Sequence, residues 1–519
     1  MQEKEEFMEP TAYLQPAERI TENSETEYTR SMRRQFPSFG IGCLIYSAFY
    51  AFCLYKNTSG ITYPFFVIGT LCCFFFSMKK LGVPFKKDSV FYIAGITLLG
   101  ISNCLTASLP ILFMNKCGIL LLSLILMLHT IYNDKAWNFP RYFTAIFQTI
   151  GSFFCCLISP FSDMVSYFDA QKQESPGKKS YFLPALIGIF IAIPLLFCMT
   201  LLLVGADAVF ENMLFRLINT LNILEVIKIL VVITVVFFSS YALLAALCRK
   251  DIKEKTEEKA GFDPVIAIVF TSLLSILYLV FSMVQILYLF IGNMKLPENY
   301  TYARYAREGF FQLLTVCVIN LLLVLICLYL FRESKPLRAI LAIICGCTFI
   351  MIFSSALRMI MYIDSYALTF LRLFVLWALA VIFLLMAGVT VFIFYRRFPL
   401  FLYGLAVVGV CYIALSFSHP DYLIARYNLE NGADYDYLSR LSADAAPAIL
   451  DPSVNPYLVS VEDMLEKTSV DEDGHFIYPD YHNDLYWMKI YYREMEDHTG
   501  SMGIRDFNFS LYRAGKYVK

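Results

Sequence analysis

The sequence predicts an all-α protein: a polytopic transmembrane helix bundle of about eleven spans, followed by a mostly helical C-terminal extramembrane tail. Of its 519 residues, 58% are hydrophobic and only 16% are charged, which lies well outside the average for soluble domains. Apolar runs of about twenty residues, the length that crosses a bilayer, recur between residues 39 and 417. After Phe417 the chain becomes polar and acidic. We therefore expect a disordered cytoplasmic N-terminal tail at 1–38, a transmembrane domain at 39–417 and the C-terminal tail at 418–519.

Each predicted span is an apolar run that ends at polar or turn-forming residues. The long runs of Phe, Leu, Ile and Val in these segments satisfy the requirement that a lipid-exposed segment form its backbone hydrogen bonds internally, as a helix does. The eleven predicted spans are Phe39–Tyr55, Ile61–Met78, Ser89–Ser108, Ile111–Tyr132, Leu183–Val204, Ile227–Cys248, Val265–Ile291, Phe310–Phe331, Leu337–Leu357, Ala367–Tyr395 and Leu400–Phe417.

A twelfth apolar segment, Tyr142–Pro160, is predicted not to cross the membrane. It carries several hydroxyl and amide side chains and is bracketed by Pro140 and Pro160. With eleven spans, every loop that is rich in Lys and Arg lies on the same side of the membrane as the N terminus. Lys and Arg accumulate in cytoplasmic loops, so this side is expected to be the cytoplasmic one. We therefore expect a cytoplasmic N terminus and an extracellular tail. The basic clusters are Arg30/Arg33/Arg34, Lys79/Lys80/Lys86/Lys87, Lys135/Arg141, Lys172/Lys178/Lys179, Arg249/Lys250/Lys253/Lys255, Arg332/Lys335/Arg338 and Arg396/Arg397.

Charged residues interrupt the apolar runs near the predicted outer face. A charge inside a membrane is costly unless it is partnered, so we expect a site there. Arg304 and Glu308 are four residues apart in the weaker orientation for a helical ion pair. Asp364 and Arg372 are spaced for one face of a helix, which places Arg372 about 9 Å into its span. The candidate site residues are Asp207, Glu211, Arg304, Arg307, Glu308, Arg358, Asp364 and Arg372.

These residues suit either a pocket for a polar or anionic small ligand or an ion-pair network that staples helix ends. We expect the protein to bind, transport or sense such a ligand at the outer face. The competing hypotheses are an envelope enzyme acting on a lipid-linked or cell-wall substrate, with Asp207, Glu211 or Glu308 as acid or base, and a scaffold without a small-molecule site. Motifs of ATPases, zincins and α/β-hydrolases are absent, so no catalytic residue is assigned.

The composition limits the partners and cofactors. A net charge of −1 provides no basic surface for nucleic acid, which leaves membrane lipids and the small ligand as expected partners and protein partners unassigned. The 15 cysteines precede Ser416 and form no CxxC pair, so we expect neither disulfides nor a metal site. The acidic loop Asp471–Asp484 lacks the ligand spacing of a calcium-binding loop. No cofactor is expected, and no removable signal peptide is expected at the N terminus.

Two further helical predictions concern the surface. Val209–Glu225 has apolar residues at helical spacing, which predicts an amphipathic helix along the interface. In the tail, helices are predicted at Tyr422–Leu429, Asp436–Leu441 and Val461–Lys467. Asp444 is expected to cap a short helix whose first turn contains Pro447.

Four segments resemble a bacterial membrane family. They read LLVGADAVF from Leu202, YAREGFFQLL from Tyr305, ALRMIMYIDSYALTFLR from Ala356, and LIARYNL with the following DYDYLSRLSADAAPAI up to Ile449. This combination resembles the family catalogued as domain of unknown function 4173, with its relative 4153, from about Leu183 onward. The resemblance implies a bacterial plasma-membrane protein and no particular activity. At Ala367 the family pattern leads us to expect glycine.

Overall fold

A computed structural model describes residues 26–134, 137–174, 222–252, 261–287, 309–432, 434–458 and 484–518, and separate positions between 188 and 216. Every regular element that these residues form is a helix, which confirms the predicted all-α fold. The membrane-domain helices are α1 (Glu27–Arg34), α2 (Phe36–Leu54), α3 (Thr62–Lys80), α4 (Ser89–Leu105), α5 (Leu109–Ile131), α6 (Phe139–Cys155), α7 (Ser159–Glu174), α8 (Ile223–Arg249), α9 (Pro264–Gln285), α10 (Phe310–Leu330), α11 (Lys335–Tyr366), α12 (Phe370–Phe394) and α13 (Leu400–Phe417). The tail contains α14 (Pro420–Asn431), α15 (Tyr435–Leu438), a 3₁₀ turn at Ala443–Ala445, α16 (Ala446–Ile449), α17 (Asp484–Gly500) and α18 (Phe509–Ala514).

Nine helices of the described chain are long and apolar enough to cross a membrane, and each coincides with a predicted span. The predicted span Ser89–Ser108 corresponds to α4, which is apolar but shorter. The predicted span Leu183–Val204 lies mostly outside the described residues. The bent pair formed by α6 and the first part of α7 also meets the length and composition of one span when its two helices are taken together, so the described residues contain nine or ten candidate spans. The chain is therefore a multi-pass helical membrane protein, and the count of eleven stays a prediction.

One end of the bundle carries the tail, and we call it the tail end. Lys56, in the loop after α2, pairs with Glu225 at the start of α8 at 2.9 Å. Arg505 of the tail donates to the carbonyl of Tyr55 at 2.8 Å. Asn428 of the tail bonds the backbone of Leu368, between α11 and α12. Asn508 of the tail also donates to the carbonyl of Thr106, just after α4, at 3.0 Å. These contacts bring the loops after α2, α4 and α11 and the start of α8 together beneath the tail.

The opposite end, which we call the basic end, gathers the predicted basic loops. Lys250 after α8 lies over the ring of Tyr132 after α5, and the ring of Phe401 in α13 stacks on Tyr142. Glu333 before α11 pairs with Arg396 after α12 at 2.7 Å. The described basic residues near this end are Arg33, Arg34, Lys79, Lys80, Lys86, Lys87, Arg141, Arg249, Lys250, Arg332, Lys335, Arg338, Arg396 and Arg397.

The structure corrects two sequence predictions about element boundaries. Residues 27–34, expected to be disordered, form α1, because Thr26 caps the helix and Met32 is buried against the bundle. The span predicted to end at Leu357 continues to Tyr366, so Arg358 and Asp364 lie on one unbroken helix. The chain breaks instead at Ala367, which has a left-handed φ of 66°.

Candidate functional site

The eight predicted site residues are only partly described by the structure. Arg304, Arg307 and Glu308 lie outside the described residues. Asp207 and Glu211 are exposed, and the Asp207 carboxylate accepts a hydrogen bond from the amide of Val209 at 2.8 Å, as a helix cap does. The predicted amphipathic helix Val209–Glu225 is described only at separate positions, and α8 begins at Ile223.

The remaining three charged residues occupy different surroundings. Arg358 is buried and donates to Gln285 Oε1 at 3.2 Å. Asp364 accepts from the hydroxyl of Tyr427 in the tail at 3.2 Å. Arg372 donates to the carbonyls of Tyr366 and Ala367 and so caps the C-terminal end of α11.

The predicted helical alignment of Asp364 with Arg372 is wrong. The backbone at Ala367 leaves the helical region, so the two residues lie on different helices and helical periodicity does not carry across the break. Arg372 consequently lies in the first turn of α12 rather than deep within a span. A single network of all eight residues stays a prediction.

Polar residues that the sequence analysis did not select form a continuous buried feature in the second half of the bundle. They recur at spacings of three and four residues along α9, which places them on one helical face over about 21 Å. They pack toward polar residues of α10 and α11, and each is at most 9% exposed. We call this feature the polar seam; it consists of Thr271, Ser275, Tyr278, Ser282 and Gln285 on α9, Asn320 on α10, and Thr348, Ser354, Ser355 and Arg358 on α11.

Side-chain hydrogen bonds link the helices of the polar seam at two places. Near the tail end, Gln285 Oε1 accepts from Ser354 Oγ at 2.6 Å as well as from Arg358. Toward its middle, Asn320 Nδ2 donates to Thr348 Oγ1 at 3.0 Å. The seam therefore crosses three helices by side-chain hydrogen bonds, as buried polar groups in membrane bundles do.

Several atoms of the polar seam lack such a partner. The hydroxyl oxygens of Ser275, Ser282 and Ser355 and the Oδ1 of Asn320 are buried without a hydrogen-bond partner among the described residues. In contrast, the Thr271 hydroxyl bonds the carbonyl of Ala267 one turn earlier at 2.5 Å. The sequence signal that could have pointed to the polar seam is the helical spacing of the hydroxyl side chains in α9. Ser and Thr also occur in membrane helices as packing residues, so this spacing alone does not distinguish a polar pathway from ordinary helix packing.

A second buried polar cluster attaches the tail to the membrane domain. The carboxylate of Asp444 accepts hydrogen bonds from the hydroxyls of Thr106 and Ser510 and from the amide of Ala107. His419 Nδ1 lies 3.6 Å from the same carboxylate, whose side chain is fully buried. The expectation that Asp444 caps a helix is wrong: Ala445 precedes α16 without a side-chain cap, and Asp444 turns toward the loop between α4 and α5.

The pKa values of the two buried carboxylates in this cluster, Asp444 and Asp421, are shifted in opposite directions. Burial alone would raise the pKa of Asp444, but hydrogen bonds from His419, Ser510 and Thr106 hold it below its ordinary value. Burial raises the pKa of Asp421, whose carboxylate accepts from Ser442 Oγ at 2.6 Å. Such divergence is typical of acid and base pairs in enzymes. Here the described hydrogen bonds to both carboxylates come from the protein's own groups, which favours a docking role.

Comparison with known proteins gives one match. The family model described as domain of unknown function (DUF4153) matches residues 93–451. No curated protein and no solved structure matches. The match confirms the expected relation to family 4153, and membership of family 4173 stays an expectation. The matched region includes most of the bundle, the polar seam and the docking residue Asp444. Because it covers more than half of the sequence, the chain belongs to the family described as domain of unknown function (DUF4153).

Proposed function

We propose that the protein binds a small polar solute and moves it along the polar seam. The observation that carries this proposal is the presence of four buried polar atoms in three neighbouring helices without a partner among the described residues. In transmembrane bundles, interior polar groups commonly mark substrate or ion pathways. The described parts of the seam offer hydroxyl and amide groups and one guanidinium, which suit solvation and recognition of a solute.

The energetic argument starts from the cost of an unmade hydrogen bond. A buried polar group without a partner costs about 1–3 kcal/mol. A water molecule or a polar solute beside Ser275, Ser282 or Ser355 would recover that cost. The hydroxyls of Thr271 and Thr348 show the alternative, because each is already satisfied by a carbonyl four residues earlier in its own helix.

The residues at the tail end of the polar seam support a polar or anionic solute. Arg358 and Ser354 converge on Gln285, so a positive charge and hydrogen-bonding groups stand together where the seam approaches the tail. A guanidinium forms strong, directional hydrogen bonds with carboxylate and phosphate oxygens. We therefore assign a polar or anionic small solute that enters or leaves at this end.

The orientation of the molecule completes the proposal. The basic residues concentrate at the end opposite the tail, and positively charged loops are retained in the cytoplasm. This distribution supports a cytoplasmic N terminus and an extracellular tail, in the bacterial plasma membrane that the family resemblance implies. The tail end of the polar seam then faces the outside.

Cysteine accessibility tests the proposal without knowledge of the solute. Ser275→Cys and Ser282→Cys are introduced separately into a background in which the native cysteines are replaced, and are treated with a small charged methanethiosulfonate. Ser47→Cys is the matched control, because Ser47 is a fully buried hydroxyl of α2, outside the seam, that donates to the Leu44 carbonyl at 2.8 Å. A wet pathway predicts reaction at both seam positions and none at the control.

Failure of both seam cysteines to react, in protein that remains monodisperse, would show that the seam is dry. The polar groups would then act in helix packing, and the scaffold hypothesis would replace the transport proposal. Reaction at Ser47→Cys as well would indicate general loosening of the bundle and would equally remove the support for a defined pathway.

A further inference from the structure

Helix α6 has three distinct faces along its length. One face is buried against the bundle and contains Tyr142, Ala145 and Thr149. A second face consists of large apolar side chains that are each at least 39% exposed: Phe139, Phe143, Phe147, Ile150, Phe154 and Ile158, the last just beyond the helix. A third face is polar and consists of Arg141, Thr144, Gln148 and Ser152. With 3.6 residues per turn, each face occupies about one third of the circumference.

Both ends of α6 contact the basic end of the bundle. Near its start, the Tyr142 hydroxyl donates to Asp134, whose carboxylate also lies 2.6 Å from His129 Nδ1 at the end of α5. Near its end, the Ser152 hydroxyl donates to Asp251, just after α8, at 3.2 Å. A helix of this length would separate its ends by about 25 Å if it stood upright in the bilayer. The contacts place α6 along one end of the bundle instead, which supports the prediction that Tyr142–Pro160 does not cross.

From this arrangement we propose that α6 is an interfacial helix whose partner is the lipid of a single leaflet, at the basic end. The buried face holds the helix to α5 and α8. The apolar face enters the acyl chains and the polar face meets headgroups and water, the pattern of helices that lie in the membrane plane. A transmembrane orientation would expose Thr144 and Gln148 to hydrocarbon, where unpaired polar groups are costly.

The apolar face continues beyond the bend between α6 and α7. The two helices meet at an angle of 61°, and Phe161 and Val165 of α7 are also exposed. Arg33 of α1 pairs with Asp163 of α7 at 2.8 Å, which fixes α7 to the same end of the bundle. The lipid-facing surface therefore follows the bent pair rather than a single helix.

Photocrosslinking from matched neighbouring positions tests this inference. Benzoylphenylalanine is placed separately at Phe147 and Phe154 on the apolar face and at Thr144 and Gln148 on the polar face of the full chain. The protein is reconstituted in phosphatidylcholine nanodiscs, irradiated and examined by intact mass. All four positions are on the surface, so the substitutions leave the core packing in place. We expect abundant lipid adducts at Phe147 and Phe154, and far fewer at Thr144 and Gln148, which meet only headgroups and water.

Two outcomes would overturn the inference. Equal lipid adducts at all four positions would mean that lipid surrounds the exposed helix and that it crosses the bilayer. Adducts to protein, or none at all, at Phe147 and Phe154 would mean that another chain or water covers the apolar face.

Discussion

Substitution of Ala367 by glycine is expected to stabilise the protein. Ala367 adopts φ 66° and ψ 171°, a region of backbone conformation that is essentially restricted to glycine. The surrounding contacts hold it there: Asn428 bonds both the amide and the carbonyl of Leu368, at 2.7 and 2.9 Å, and Arg372 caps the carbonyls before the break. The amide of Phe370 donates to the hydroxyl of Tyr437 at 3.0 Å. The tail therefore helps to hold the strained residue in place.

The expected magnitude follows from two opposing contributions. A residue held in such a region costs about 1–3 kcal/mol, which glycine removes because it has no Cβ. Glycine also makes the unfolded chain more flexible, which costs about 0.4–1 kcal/mol. The net stabilisation is about 1 kcal/mol, and in a chain of this size it corresponds to a rise in apparent melting temperature of about 1–2 °C.

Thermal unfolding of the purified protein in detergent, followed by intrinsic fluorescence, measures this effect. Ala339→Gly is the control, because Ala339 is an exposed residue inside the same helix α11, where glycine should cost about 1 kcal/mol. Ala367→Val should lower the melting temperature, since a β-branched side chain tolerates positive φ poorly. If Ala367→Gly destabilises the protein as much as the control does, the position is not strained and the reasoning is wrong.

Four further predictions concern the tail. Asp444→Ala should weaken docking of the tail by about 3–5 kcal/mol, because its buried partners lose their acceptor. Limited proteolysis should then cut the tail faster than in the parent, and unchanged protection would contradict the docking role. The hydrogen bond to Asp444 raises the pKa of His419 above its ordinary 6.5. The stabilisation of tail docking by this pair is therefore fully present below pH 6.5 and is lost as the pH rises through the raised value. Hydrogen exchange of the tail should increase with pH more in the parent than in His419→Gln, and equal pH dependence would speak against the pair. Gly60→Ala should loosen the tail, since the added Cβ would collide with the carbonyl oxygen of Arg505, whereas Gly42→Ala, with open space around it, should not. Equal effects of the two substitutions on tail proteolysis would refute the contact. Finally, a cysteine at the exposed Ser453 should react with an impermeant maleimide in intact cells once native thiols are replaced, and protection until lysis would refute an extracellular tail.

The elements that depend on local composition could be predicted from the sequence. Apolar runs such as Phe310–Phe331 and Leu400–Phe417 closely match α10 and α13, because a lipid-exposed backbone must satisfy its hydrogen bonds within one helix. The positions of the basic loops likewise predicted which helix ends lie at the same end of the bundle. Sequence-based prediction was less accurate at helix boundaries without a strong local signal. Alanine has a high helix propensity, yet contacts from the tail hold Ala367 at the break between α11 and α12.

The candidate site depended on tertiary structure. Asp444 was interpreted as a local cap, but its carboxylate bonds Thr106, which is 338 residues away in the sequence. The hydroxyls of α9 formed a visible periodic pattern, but only the positions of α10 and α11 decided which of them have partners. Helix formation in a membrane is governed by each segment's own hydropathy, which is why most spans could be predicted from their own residues. The pairing of buried polar groups depends on which distant side chains the fold brings within hydrogen-bonding distance, and no single segment contains that information.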